Sequence, residues 1–130
     1  MGTQRQIKDK IIMDETYISF YLKAGRIHVF VDSLRAIDSP NRICFMIDKG
    51  GNNLLMKPYT KRDFRSHRVP ATVYKGQSSL EISSMRLCNL IAQNKGWTSV
   101  SSYRIPGSIS KANNVVIFDL NSAIKIKNRS

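Results

Sequence analysis

Apolar residues gather in short, strand-length runs separated by turn residues. Tyr17-Ile18-Ser19-Phe20-Tyr21-Leu22 is rich in aromatic and β-branched side chains, and beyond Ala24-Gly25 a second such run follows, Arg26-Ile27-His28-Val29-Phe30-Val31. Two strands joined by a glycine turn are expected here. Asp32 and Ser33 then offer N-cap side chains to a short helix over Leu34-Arg35-Ala36-Ile37, which stops before Ser39-Pro40. Ile43 to Ile47 and Leu54-Leu55-Met56 flank Asp48-Lys49-Gly50-Gly51-Asn52-Asn53 and read as a hairpin, with glycine supplying positive φ in the loop.

The pattern then changes. Residues 60–75, with Lys57 just before them, carry Lys61, Arg62, Arg65, Arg68 and Lys75 against the single acid Asp63, with prolines at 58 and 70. This stretch reads as an exposed basic connector. After it Leu80-Glu81-Ile82 alternates as a strand does, and Ser83-Ser84 can cap a helix from Met85 through Ala92 whose Leu87, Leu90 and Ile91 share a face. Gly96 stands where a left-handed helix terminator is wanted, with Trp97 as its hydrophobic contact. Ser102 to Ile105 and Val115 to Phe118 complete the predicted strands.

The two halves resemble each other. Val29 to Arg35 matches Leu80 to Arg86 at an offset of 51, and Asn52 to Met56 matches Asn113 to Ile117 at an offset of 61. The order is the same in both, which points to an internal repeat. The expected fold is α+β, with two related β-α-β-β halves (residues 17–59 and 76–124), pseudo-twofold symmetry and a barrel-like sheet with short helices. Residues 1–16 and 125–130 read as an N-terminal tail and a basic C-terminal tail.

Charge narrows the partners. The 130 residues carry 21 Lys and Arg against 9 Asp and Glu, a net of +12. Residues 60–130 hold twelve basic and three acidic side chains, while residues 1–59 hold nine and six. Such a field draws polyanions, nucleic acid (DNA, with RNA as well) first and an acidic membrane or an acidic protein surface second. Cys44 and Cys88 each lie within an apolar run and are expected to be reduced and buried, which with the absence of an apolar stretch of membrane-spanning length suggests a cytoplasmic protein.

Gly25-Arg26-Ile27-His28-Val29, the helix at Ser33-Leu34-Arg35, and the strands Ile43 to Ile47 and Leu54 to Met56 follow, over about 35 residues, the order found in SpoVT/AbrB-type swapped-hairpin transcription regulators. The first half resembles that family. Two copies in one chain would be similar to its MraZ-type members, in which one polypeptide supplies both halves of what is otherwise a dimer. The resemblance implies DNA binding through basic residues around the glycine-Arg step, here Lys23 and Arg26. Phe30-Val31 stand where the family has proline, and the second half has Gly76-Gln77 in place of glycine-Arg.

Nothing in the sequence supports catalysis. Asp14-Glu15 is the only adjacent acidic pair, His28 and His67 lack a metal-ligating neighbour at the usual spacing, and Gly50-Gly51 lacks the Gly-Lys-Ser/Thr of a phosphate loop. The expectation is a cofactor-free DNA-binding regulator of bacterial or phage type, a monomer by duplication or a homodimer. Its candidate contacts are Lys23, Arg26, Lys57, Lys61, Arg62, Arg65 and Arg68, with Tyr59, Phe64, His67 and Tyr74 interleaved among the connector cations. The alternative is a basic protein–protein module, such as an inhibitor docking on an acidic surface of a nucleic-acid enzyme.

Overall fold

A computed structural model describes residues 15–126. In chain order it contains β1 (Glu15–Tyr21), β2 (Arg26–Phe30), α1 (Val31–Ala36), β3 (Arg42–Ile47), β4 (Asn53–Pro58), β5 (Ser66–Arg68), β6 (Ser79–Ser83), α2 (Met85–Lys95), β7 (Ser102–Ser110), β8 (Val115–Asp119) and β9 (Ile124–Ile126), with 3₁₀ turns at Ala71–Tyr74 and Leu120–Ser122. All strand pairs are antiparallel. They form one sheet in the order β5-β3-β4-β8-β7-β1-β2-β6, with β9 added to β7. The fold is α+β: the sheet curls into a nearly closed barrel accompanied by two short helices.

Period-two alternation decides what lies inside. Ile18 and Phe20 of β1, Ile27 and Val29 of β2, Ile43 of β3, Leu54 and Met56 of β4, Ile105 of β7, and Val116 and Phe118 of β8 have no exposed surface and belong to one core cluster. Burying each such side chain is worth roughly 1.5–3 kcal/mol, so this shared interior is the main stabilising term. Leu87, Cys88, Ile91 and Ala92 of α2 join it. Ser84 caps α2 by accepting the Leu87 N–H at 3.2 Å, and Gly96 at φ 70° ends it, with the Trp97 N–H returning to the Ala92 carbonyl at 2.9 Å. Trp97 then stacks on Tyr103 at 3.9 Å between centroids.

Several boundaries differ from the sequence reading, each for a local reason. β1 begins at Glu15, inside the predicted tail, because Glu15 and Thr16 pair with Ser108 and Gly107; the rest of that tail, residues 1–14, lies outside the described residues. α1 begins at Val31 because Val31 is buried, and Phe30 at its N-cap makes no side-chain bond; Ser33 donates to the Phe30 carbonyl at 2.7 Å instead of capping. Residues 60–75 are more than a connector, since β5 and a 3₁₀ turn form within them. Lys125, assigned to the C-terminal tail, sits in β9 opposite Tyr103, and residues 127–130 lie outside the described region.

β7 runs through Pro106-Gly107, where a break is expected. Along its second edge β7 pairs with β9 at residues 102–104 and with β8 at residues 107–110, so Pro106 falls between the two partners and removes no ladder bond from that edge. Gly107 is required by packing. A Cβ there would lie 2.5 Å from the Phe118 ring. Gly107→Ala is expected to lower stability by about 1–3 kcal/mol, read as a lower urea midpoint with an unchanged denaturant slope.

Candidate nucleic-acid interface

β4 and β5 lie on opposite edges of β3, so the segment joining them, residues 59–65, has to cross that strand. It crosses on the outer face. Cys44, whose neighbours Ile43 and Phe45 point inward, is 3% exposed yet stands outside the core cluster, and Lys57, Arg65 and Asp63 are the charges that act on it. Burial raises the Cys44 thiol above its usual range while Lys57 and Arg65 pull the other way; burial alone pushes Cys88 up to about 11. Neither is an activated thiol at neutral pH.

The crossing segment is pinned by one carboxylate. Asp63 accepts the Tyr59 hydroxyl at 2.8 Å and the Arg65 N–H at 2.9 Å, and its carbonyl accepts the Ser66 N–H at 3.0 Å, closing a tight turn over Asp63, Phe64, Arg65 and Ser66. The Tyr59 bond, with further help from Arg65, holds Asp63 below the usual carboxylate range and raises the Tyr59 phenol. Phe64, at the tip of this turn, is 75% exposed.

Cations accumulate on the same outer face. The β3–β5 register sets Arg42 directly opposite Arg68, and the β3–β4 register sets Lys57 opposite Cys44. Arg42 donates to Ser66 at 2.9 Å, and the Arg65 guanidinium lies 5.8 Å from the centroids of both Tyr59 and Phe64. Lys61 and Arg62 are exposed in the crossing segment. Six cations thus share this region with the single acid Asp63, which is already engaged. Like charges directly opposite in a sheet are destabilising, so the Arg42 and Arg68 pairing opposes folding rather than favouring it.

Of the residues singled out in sequence, Lys57, Arg65 and Arg68 come together here, with Lys61 and Arg62 on the segment above. Lys23 and Arg26 lie elsewhere, at the β1–β2 turn, where Arg26 pairs with Glu81 at 3.4 Å. The two regions meet α2 from different sides. Gly25 abuts Met85, and the neighbouring Arg86 lies 5.2 Å from the Phe64 centroid. Tyr74 belongs to neither region: its hydroxyl donates to the Pro40 carbonyl at 2.6 Å, and burial pushes its pKa up to about 12.

Sequence reasoning missed Arg42 and Arg86. Arg42 carries no signal, because the β3–β5 register is invisible in the chain. Arg86 was matched in the repeat with Arg35, but Arg35 donates to the Tyr74 carbonyl at 3.1 Å while Arg86 stands in the first turn of α2, a turn with no acid. A cation there opposes the partial positive charge of the helix start. That misplacement, once the helix is located, is the signal that could have found it.

Elsewhere the surface is different. An open cleft of about 680 Å³ is lined by Glu15, Asp119, Asn52, Asn53 and Asn121 together with Tyr17, a set unsuited to a polyanion. Among the described residues no group of three or more His, Cys, Asp or Glu is placed to hold a metal, and no helix is long and apolar enough to cross a membrane. The chain matches no protein-family model, and no curated protein or solved structure gives a significant match to it.

His67 faces inward opposite Ile43, packs edge-on to Phe45 at 5.6 Å, and is held below its usual pKa of 6.5 by burial and secondarily by Arg86. On acidification the unfolded chain therefore takes this proton first, so the stability contributed by neutral His67 is complete above pH 6.5 and is lost as pH falls toward the lower folded value. The thermal midpoint is expected to drop between about pH 7 and pH 5, and to drop less in His67→Gln, as followed by circular dichroism.

Proposed function

We propose that this protein binds DNA, without catalysis, across the outer face of β5, β3 and β4, and serves as a regulator of bacterial or phage type. The observation that carries the reading is the Arg42 and Arg68 pair, flanked by Lys57 and Arg65 and opposed by no free carboxylate. A phosphate backbone laid on this face relieves the mutual repulsion and releases condensed counterions. Lys23 and Arg26, on the far side of Met85, extend the contact as the family resemblance implies.

The same proposal includes a duplicated architecture, now with halves at residues 15–58 and 66–119. Three observations support it. The order β-α-β-β occurs in β2 to β4 and again in β6 to β8, and the first strand of each half, β1 or β5, pairs with the third strand of the other, β7 or β3. An offset of 62 serves the second hairpin better than 61, since 61 sets buried Leu54 on half-buried Val115. At 62, Leu54 and Met56 fall on buried Val116 and Phe118, and the cross-strand pairs Ile47 with Leu54 and Phe45 with Met56 become Ile109 with Val116 and Gly107 with Phe118. Finally, Val29 pairs directly with Leu80 and Leu55 with Ile117, each residue facing its own equivalent as a twofold axis requires. One chain then supplies what the swapped-hairpin regulators assemble from two.

A second reading has its own observation. Phe64, Met85 and Leu90 are all exposed around Arg86, which suits an acidic protein partner with an apolar contact. The test is fluorescence anisotropy of labelled DNA across a salt series. Arg42→Glu with Arg68→Glu is expected to weaken binding about tenfold or more and to reduce the salt-dependence slope by roughly two. Unchanged affinity in a folded double variant sinks the DNA assignment and favours the protein partner.

A further inference from the structure

We infer that the preferred ligand of this face is single-stranded, with an unpaired base stacked on Phe64; the inference rests on the nucleic-acid reading above. The first support is exposure without freedom. Phe64 is 75% exposed on a turn that three hydrogen bonds to Asp63 hold shut, so the ring is kept in solvent by the geometry of its own loop. A large apolar ring held out at a pinned loop tip is organised for a contact outside the chain.

The second support is what surrounds the ring. Two guanidinium groups, from Arg65 at 5.8 Å and from Arg86 at 5.2 Å, approach the same aromatic ring from different elements of the fold. A base stacking on an aromatic ring, with cations beside it for the flanking phosphates, is the recurrent chemistry of single-strand recognition, and it tolerates any base because every base has a π-face. A paired base is already stacked between its neighbours and cannot offer that face. Arg86 also occupies a helix start that disfavours a cation, and a phosphate at that place removes the conflict.

The geometry also assigns a path. From Phe64 and Arg86 the strand continues over Arg65 to Lys57 and the Arg42 and Arg68 pair, all on the outer side of β3 and its neighbours.

The experiment measures anisotropy of a labelled oligothymidine and of a duplex of equal length, at one salt concentration, with wild type, Phe64→Ala, Phe64→Trp and the Arg42→Glu/Arg68→Glu variant. Wild type is expected to bind the single strand at least about tenfold tighter than the duplex. Phe64→Ala should lose about 5- to 100-fold on the single strand while changing duplex binding less than about twofold, and Phe64→Trp should retain single-strand affinity. Circular dichroism verifies that each variant folds, which matters most for the charge-reversal variant because Arg42 is half-buried. Equal losses on both ligands, or none on either, overturn the stacking proposal. If charge reversal weakens both ligands while Phe64→Ala affects neither, the basic-face reading stands and the single-strand preference falls. If wild type binds neither ligand, both fall together.

Discussion

Strand β7 joins three partners, and the sheet depends on its register. One edge pairs with β1 over seven residues and the other is divided between β9 and β8, so this strand connects the β5-β3-β4-β8 part of the sheet to the β1-β2-β6 part. A slip of one residue would turn Ile105 outward and set Pro106 into the core, and the same inversion would pass through β1 to Ile18 and Phe20. The division of its second edge requires a residue that forgoes a ladder bond and a neighbour without a side chain. Pro106 and Gly107 meet those two requirements in order, and the Phe118 ring occupies the space that the glycine leaves.

The crossing segment follows from the same topology. With β4 and β5 on opposite edges of β3, residues 59–65 are obliged to pass over the outer face, where they cover Cys44 and carry Lys61, Arg62 and Arg65 above Lys57, Arg42 and Arg68. Charge that is spread along the chain is thereby concentrated on one side of three strands. Asp63, the acid in the segment, is spent on shaping the turn, where it accepts from the Tyr59 hydroxyl and the Arg65 N–H and pairs with the Arg65 guanidinium at 3.6 Å, so that it neutralises one of the surrounding cations and leaves the others in excess. Structural economy at Asp63 and the proposed polyanion site are two aspects of one arrangement.

Most strands were legible because burial on one face imposes a period that the residues themselves carry, as in Ile27 and Val29 or Leu54 and Met56. The α2 termini were legible for a similar reason: Ser84 and Gly96 act within a few residues of their own position. β5 was not, since Ser66-His67-Arg68 has no apolar alternation, and pairing with β3 is what makes it a strand. α1 also escaped its predicted cap, because burial of Val31 started the helix before Asp32 and Ser33 could act as N-caps. Of the proposed site, the connector cations and Phe64 were visible as a basic, aromatic stretch. Arg42 lies 17 residues before the crossing segment and Arg86 21 residues after it, and no local pattern ties either of them to it.

The sequence by itself determined the excess of cations and its concentration after residue 59, the alternation that builds the barrel interior, and the caps and turns that act over a few residues. These depend on composition and on local geometry. The tertiary structure alone decided which cations face one another, that Arg65 and Arg86 both come near the Phe64 ring, and that Lys23 and Arg26 approach from the other side of α2. Those relations are set by strand order and register, which arise from contacts between residues far apart in the chain, and a one-residue change of register is enough to exchange the inner and outer faces.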